Sequence, residues 1–129
     1  MINTDIYDYI NVLDKAADAS WTRNQAIANN IANIDTPGYK RQDVSFSDQL
    51  ERALRHSRYD SLDKKIDNMN VGRLKGKIYT DAENYSYRLD GNNVDVDTEN
   101  TEMAANQILY EGLTGSIRSE FSNIKLVSK

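Results

Sequence analysis

Two stripes of heptad spacing, one at each end of the chain, constrain its fold more than any other feature. Near the N-terminus Ile6, Ile10, Leu13, Ala17, Ser20, Asn24, Ile27, Ile31 and Ile34 follow one another at alternating spacings of four and three. This pattern gathers side chains into one seam and belongs to helices that pack lengthwise on other helices. Near the C-terminus Met103, Tyr110, Ile117 and Ile124 recur every seven residues; Leu113 and Val127 fill the companion position, as does Phe121 if the stripe drifts by one. The first helix is predicted from about Thr4 to Ile34, roughly 45 Å at 1.5 Å per residue. The second is predicted from Asp97 or Thr98 almost to Lys129. Ser20 and Asn24 are polar interruptions, of the kind that fixes register at some cost in stability. Periodicity alone suits an intramolecular hairpin as well as packing between chains.

The ends of the helices have local causes. Asn3 or Thr4 can cap the first, with Asp5 and Asp8 complementing the dipole in its first turn. Pro37 disfavours the α conformation at Thr36. Thr36-Pro37-Gly38-Tyr39 then places Pro and Gly at the two central positions of a type II turn. An extended stretch from Lys40 to Phe46 follows, and Ser47 is the expected N-cap of a short helix carrying Leu50, Ala53 and Leu54. From about Ser57 to Lys77 the apolar pattern fades into a basic stretch, read as a loop or as a segment ordered only in an assembly, with Gly72 and Gly76 adding flexibility. Ile78–Thr80 and Tyr85–Leu89 read as strands, Asp90-Gly91-Asn92-Asn93 as a turn, and Val94 and Val96 alternate after it. A small β element of two or three strands is predicted here. Glu99 and Glu102 open the last helix, complementing its dipole. Gly112 and Gly115 inside it each cost about 1 kcal/mol relative to Ala, so they serve either a close approach or a bend. The fold class is therefore mainly α. Two long terminal helices form an elongated coiled-coil-like hairpin, with a short helix, a loop and a small β element between them. The predicted units are 1–35, 36–97 and 98–129.

Composition excludes several functions. The apolar fraction of 39% and mean hydropathy of −0.72 are low for a globule of 129 residues, as in chains that are elongated, partly unfolded alone or completed by partners. A net charge of −4 argues against nucleic acid as partner. The chain has no Cys, hence neither a disulfide framework nor a thiolate metal site. No stretch reaches the apolar length of a membrane span. No basic region followed by an apolar core marks a cleaved signal peptide at the N-terminus. Asp90, Asp95, Asp97 and Glu99 do not match a calcium loop, since no Gly stands at the required sixth position. His56 is the only histidine, and no Ser has a His-and-acid context around it. No catalytic, cofactor or metal residue is therefore assigned, and no cofactor is expected. The basic middle reads as a solvated loop, or as a surface meeting acid on a neighbour, the stretch Asp95 to Glu102 being one candidate. Tyr7, Tyr9, Tyr39 and Tyr110 lie in or beside the seams, where tyrosine's large contact area and polar tip suit an interface.

The run Ala28-Asn29-Asn30-Ile31-Ala32-Asn33-Ile34-Asp35-Thr36-Pro37-Gly38-Tyr39-Lys40 resembles the N-terminal signature of flagellar axial proteins, the rod, hook and hook-associated subunits. Within that family the short middle, the Thr-Pro-Gly-Tyr turn directly after the helix, and the stretch Leu89 to Asp97 are similar to the FlgB-type proximal rod proteins. So is the run from Glu102-Met103 through Asn106-Gln107 to Tyr110. The resemblance covers both terminal thirds and little of the middle.

The resemblance implies a structural, non-enzymatic subunit of the flagellar basal body. Such subunits polymerise through their terminal helices into the proximal rod around the export channel. Implied partners are other rod subunits, further copies of the chain, the adaptor at the membrane ring and the flagellar type III export apparatus. No direct membrane insertion is implied, and export needs no cleaved signal. The assembly residues expected are Ile6, Ile10, Leu13, Ala17, Ile27, Ile31, Ile34, Met103, Tyr110, Leu113, Ile117, Phe121 and Ile124. The family motif is carried by Ala28, Asn29, Asn30, Ala32, Asn33, Thr36, Pro37, Gly38 and Tyr39. Asn29, Asn30 and Asn33 read as solvated from spacing alone; the resemblance implies hydrogen bonds to backbone at the turn or on neighbours. The competing class is a cytosolic helical-hairpin adaptor or export chaperone, stably folded by itself.

Overall fold

The computed structural model describes residues 5–55, 61–67, 71–81 and 88–128. Helix α1 spans Asp5–Ala32, a stretch without Gly or Pro, and two successive turns carry the chain away from it up to Gly38. Strand β1 (Gln42–Ser45), helix α2 (Ser47–Leu54), helix α3 (Leu62–Asp67), a 3₁₀ turn (Val71–Arg73) and strand β2 (Lys77–Thr80) make up the middle. Helix α4 then runs unbroken over Val96–Val127. The molecule is mainly helical, with long helices at both ends and one small sheet.

Helices α1 and α4 lie antiparallel. Their partners along the contact run in opposite numerical order: Asn30 with Glu99, Arg23 with Glu102, Ser20 with Asn106, Trp21 with Tyr110. The middle elements α3, the 3₁₀ turn and the β ribbon pack on α1. Ile66 of α3 and Leu74 after the 3₁₀ turn are buried, as are Ile10, Ala17, Ala19, Ala26, Ile27 and Val94. Among the described residues seven polar side chains are buried beside these eight apolar ones: Ser20, Asn30, Asp43, Asn92, Asn93, Glu99 and Asn106. A core of that makeup is specified by hydrogen-bond geometry as much as by apolar area.

The middle corrects several expectations. Strand β2 does form around Ile78-Tyr79-Thr80, but it pairs backwards with β1 in the register Gln42↔Thr80, Asp43↔Tyr79, Val44↔Ile78 and Ser45↔Lys77. Arg88 and Leu89 lie in a bend and turn, not a strand. Tyr85, Ser86 and Tyr87, the start of that expected strand, lie outside the described residues, as do Asn3, Thr4 and His56. Val94 is buried but not in a strand, and Val96 already begins α4. The cap of α4 is Asp95, whose side chain accepts from the Asp97 N–H, so the helix starts before Asp97 and Thr98. Helix α2 begins at Ser47 itself, with Phe46 at the cap position and no side-chain cap.

Part of the expected basic loop is α3 and the 3₁₀ turn. Nor is Gly76 a source of flexibility. A Cβ there would stand 2.9 Å from both the Ala19 Cβ and the Val44 Cγ1, closer than real contacts allow, so the absent side chain lets the chain entering β2 lie against α1. Gly112 and Gly115 face open space and serve no close approach among the described residues.

Candidate functional site

The end of α1 is built by the motif run. Tyr39 N–H donates to the Thr36 carbonyl at 3.2 Å and Gly38 adopts φ +73°, the left-handed value required at the third position of a type II turn. The Asn33 amide donates to the Asn29 carbonyl at 2.8 Å and accepts from the Thr36 hydroxyl at 3.1 Å. The last carbonyls of a helix have no partner inside it. Just past that end Asn92, fully buried, holds the turns that follow: its Nδ2 lies within reach of the carbonyls of Asn33 (2.9 Å), Ile34 (2.9 Å) and Thr36 (3.0 Å). Its Oδ1 accepts from the Val94 N–H at 2.8 Å. The Arg88 guanidinium donates to the Ile34 carbonyl at 2.6 Å, in the turn just beyond the helix end.

Thus the two stretches that carry the resemblance meet in space. The Gly38 N–H donates to the Asp90 carbonyl at 2.7 Å, and the Lys40 ammonium donates to the Gly91 carbonyl. Gly91 itself needs φ +78° to make this approach. The Arg41 N–H donates to Asn93 Oδ1 at 2.6 Å, and Asn93 Nδ2 donates to the Asp81 carbonyl at 2.9 Å. The turn after α1 and the turn before α4 therefore form one clasp.

Asn30 ties this clasp to the helix pair. It is fully buried, and its amide uses all four of its hydrogen-bonding positions. Nδ2 donates to the Gln42 carbonyl (2.8 Å) and to Glu99 Oε2 (3.1 Å). Oδ1 accepts from the Gln42 N–H (2.9 Å) and from the Tyr39 hydroxyl (3.0 Å). The other oxygen of Glu99 accepts from Arg41 Nε at 2.6 Å. The Arg41 guanidinium also reaches Asp81 at 3.3 Å and Asp43 at 3.4 Å. Asp43 accepts from Arg23 Nε at 2.8 Å, and Arg23 reaches on to Glu102 at 2.6 Å. Further along the seam Ser20 and Asn106 exchange two bonds: the Ser20 hydroxyl donates to Asn106 Oδ1 at 3.0 Å, and Asn106 Nδ2 donates to the Ser20 carbonyl at 2.8 Å. One chain of polar contacts thus links α1, β1 and α4.

The charges respond as this geometry requires. Burial opposes the charged form of Arg41, but its hydrogen bond to Glu99, the Glu99 charge and the two aspartates raise it above the ordinary arginine value. Arg23 is likewise raised, chiefly by its hydrogen bond to Asp43. Burial, with the Glu99 charge, raises the Tyr39 hydroxyl, which keeps it a donor to Asn30. For Asp43, burial pushes upward, but bonds from Arg23 and the Val44 N–H prevail and hold it below the usual carboxylate value. A depressed folded value means that this stability is present above the unfolded value of about 4 and is lost as pH falls through the folded one. Asp43→Asn should therefore flatten the acid side of the stability profile, checked by thermal melts of both proteins between about pH 2 and pH 6.

The expected assembly residues differ in burial. Ile27 is fully buried within the chain, with Ile10 and Ala17 close to it, whereas Leu13, Ile31, Ile34, Met103, Tyr110, Leu113, Ile117 and Ile124 are half-buried. Phe121 is exposed, and the Ile6 side chain lies outside the described residues. In the motif Asn30 is buried, Asn33, Tyr39 and Ile31 are half-buried, and Ala28, Asn29, Ala32, Thr36, Pro37 and Gly38 are exposed. Sequence reasoning missed Arg23, Arg41, Asp43, Asn92 and Asn106, and it considered Glu99 for the helix dipole, a rejected calcium loop and an acidic surface, but not for a buried ion pair. The signal for α4 was present: Glu99, Asn106, Leu113 and Glu120 recur at seven, and all four face inward to some degree.

Among the described residues no cluster of His, Cys, Asp and Glu could hold a metal ion, and no helix is long and apolar enough to cross a membrane. Two long helices closed by a polar clasp define a helical-pair protein whose motif run is spent on that closure. The family model for the flagella basal body rod protein matches residues 10–40, from the body of α1 through the turn. The flagellar basal body rod protein FlgB of Bacillus subtilis (strain 168) is 36% identical over 116 residues, 89% of this chain and 88% of that protein. FlgB of Borrelia hermsii is 36% identical over 115 residues, covering 83% of this chain and 85% of its own. That of Escherichia coli (strain K12) is 31% identical over 107 residues, 74% of this chain and 78% of its own. The chain belongs to the FlgB family of flagellar basal body rod proteins. It is a structural component of the flagellar basal body, not an enzyme, and assembles with other rod subunits.

Proposed function

We propose that the chain polymerises through its terminal helices into the proximal part of the rod, around the export channel. In this reading 1–35 and 98–129 are the assembly segments, and 36–97 is the unit that fixes their relative position. The α1–α4 pair acts as a coiled-coil-like hairpin whose closed end is the clasp. The adaptor at the membrane ring is a further neighbour, and the chain travels as a substrate of the flagellar type III export apparatus without a cleaved signal.

One observation carries this reading. Past Asn106 no described residue of α4 is buried, although the helix continues with Ile108, Leu109, Phe121, Leu126 and Val127, all exposed. A stretch so apolar and so uncovered is a binding surface. The low apolar content of the sequence has the same meaning: much of the burial this chain is built for involves other chains. The cytosolic adaptor or chaperone reading finds no support in relatives that are themselves rod proteins.

Phe121→Asp and Ile117→Asp test the proposal. Phe121 is exposed and Ile117 half-buried, so both variants should remain soluble and helical by circular dichroism. Neither should support swimming, and neither should appear in isolated basal bodies. Wild-type motility in both would remove these residues from the assembly surface.

A further inference from the structure

Helix α1 carries a second stripe of exposed residues, which meets α4 at Trp21 through Tyr110. Tyr7, Asn11, Asp14, Asp18, Trp21 and Gln25 alternate at spacings of four and three, and all six are exposed. Trp21 is the only tryptophan in the chain and is 53% exposed. One side of its ring meets Tyr110 of α4, with centroids 5.9 Å apart, and the rest is left in water. It stands at the mouth of a groove of about 380 Å³ lined also by Tyr110, Gln107 and Glu111. Asn24 lines the same groove, and its Oδ1 is the one buried side-chain atom among the described residues without a hydrogen-bond partner. Asp14 and Asp18 precede Trp21 on the same stripe, and Tyr110 and Glu111 line the groove beside Trp21. That chemistry fits lysine or arginine, which pair with carboxylates and rest on aromatic rings.

The same chain offers the complement. Arg73, Lys75 and Lys77 are exposed at the entry to β2, whose only partner strand among the described residues is β1. Asp14 and Asp18 are about 6 Å apart along the helix axis. Lys75 and Lys77, two residues apart, span no more than about 7 Å. Among the described residues no ion pair joins the two sets within one chain. The acidic stretch at the start of α4 is not the better receptor, because Arg41 and Arg23 already occupy Glu99 and Glu102.

We infer that this exposed stripe of α1, centred on Asp14, Asp18 and Trp21, receives the Arg73–Lys77 segment of a second copy of this chain. Donor and receptor are different patches, so the contact is heterologous: copies add head to tail and need not close as a pair. This inference rests on the rod reading and supplies one of its lateral or axial joints.

Charge exchange and cross-linking test it in cells whose own rod gene is deleted. Lys75→Glu with Lys77→Glu should abolish swimming, and adding Asp14→Lys and Asp18→Lys should restore it. Because the chain has no cysteine, Asp18→Cys in one copy and Lys75→Cys in another should give a disulfide-linked dimer in isolated basal bodies. Neither variant alone should do so. Basal bodies that contain both cysteine variants yet yield no dimer would overturn the inference and leave the rod reading intact. So would swimming that survives the double lysine reversal, or an Asp18→Cys link to a different rod protein. Absence of even the wild-type chain from basal bodies would bring down the rod reading first and this inference with it.

Discussion

Arg41→Ala should lower the unfolding free energy by about 3–5 kcal/mol, the cost of stranding a buried charge by removing its partner. Glu99 is fully buried, and without Arg41 its carboxylate keeps only the Asn30 amide. Asp81 and Asp43 lose the same cation, although Asp43 keeps Arg23. For a chain of this length the loss corresponds to a melting temperature lower by about 10–20 °C. Arg41→Lys should fall between, because one ammonium cannot reproduce a fork that reaches Glu99, Asp81 and Asp43 together. Combining Arg41→Met with Glu99→Leu should cost less than Arg41→Ala, since that pair of changes leaves neither partner charged and buried. Thermal melts of the four proteins decide the matter. An Arg41→Ala protein that melts within about 3 °C of wild type would show that the network decorates the fold without holding it.

The parts of this fold legible in the sequence are those with a local cause. Helix α1 announces itself by a seam of nine positions, eight of them inside it, with neither Gly nor Pro among them, and the turn by Pro37 and Gly38 at the positions the turn geometry demands. The pairing of β1 with β2 has no local cause. Val44 and Ile78 meet across more than thirty residues, and strand propensity names no partner. The clasp was hidden for another reason. Asn92, Asn93 and Gly91 look like a generic turn signal, and a buried amide that holds the turns after a distant helix has the same sequence appearance as a solvated one. Glu99 was concealed by a competing explanation: an acid in the first turn of a helix already has a role there, so nothing called for an arginine fifty-eight residues away. Inward placement of Glu99 and Asn106 could have been read from their heptad relation to Leu113. That reading requires accepting that a seam can be polar, which the heptad rule treats as the exception.

Asn30→Asp puts this polar seam to its sharpest test, because it changes one amide group to a carboxyl and almost nothing in shape. The native amide donates two bonds, to the Gln42 carbonyl and to Glu99. A carboxylate can donate neither; it would set a second negative charge against Glu99 and an acceptor against an acceptor. At neutral pH the expected cost is again about 3–5 kcal/mol, that of an uncompensated buried charge. The pH dependence should also differ from that of the wild type. The introduced carboxyl is neutral when folded in acid and resists ionising beside Glu99, so its folded pKa lies above the unfolded value of about 3.9. The penalty is then absent below that unfolded value and grows until pH passes the raised folded one. The gap between the variant and the wild type should therefore narrow steadily on acidification, while the wild type itself weakens as Asp43 loses its charge. Asn30→Ser, which introduces no charge, should show a smaller loss that does not vary with pH. Parallel melts from about pH 3 to pH 8 separate these cases. A variant as stable as the wild type at pH 7 would mean that Asn30 does not act as a donor to Glu99, and the clasp would then have to be anchored to α4 by Arg41 alone.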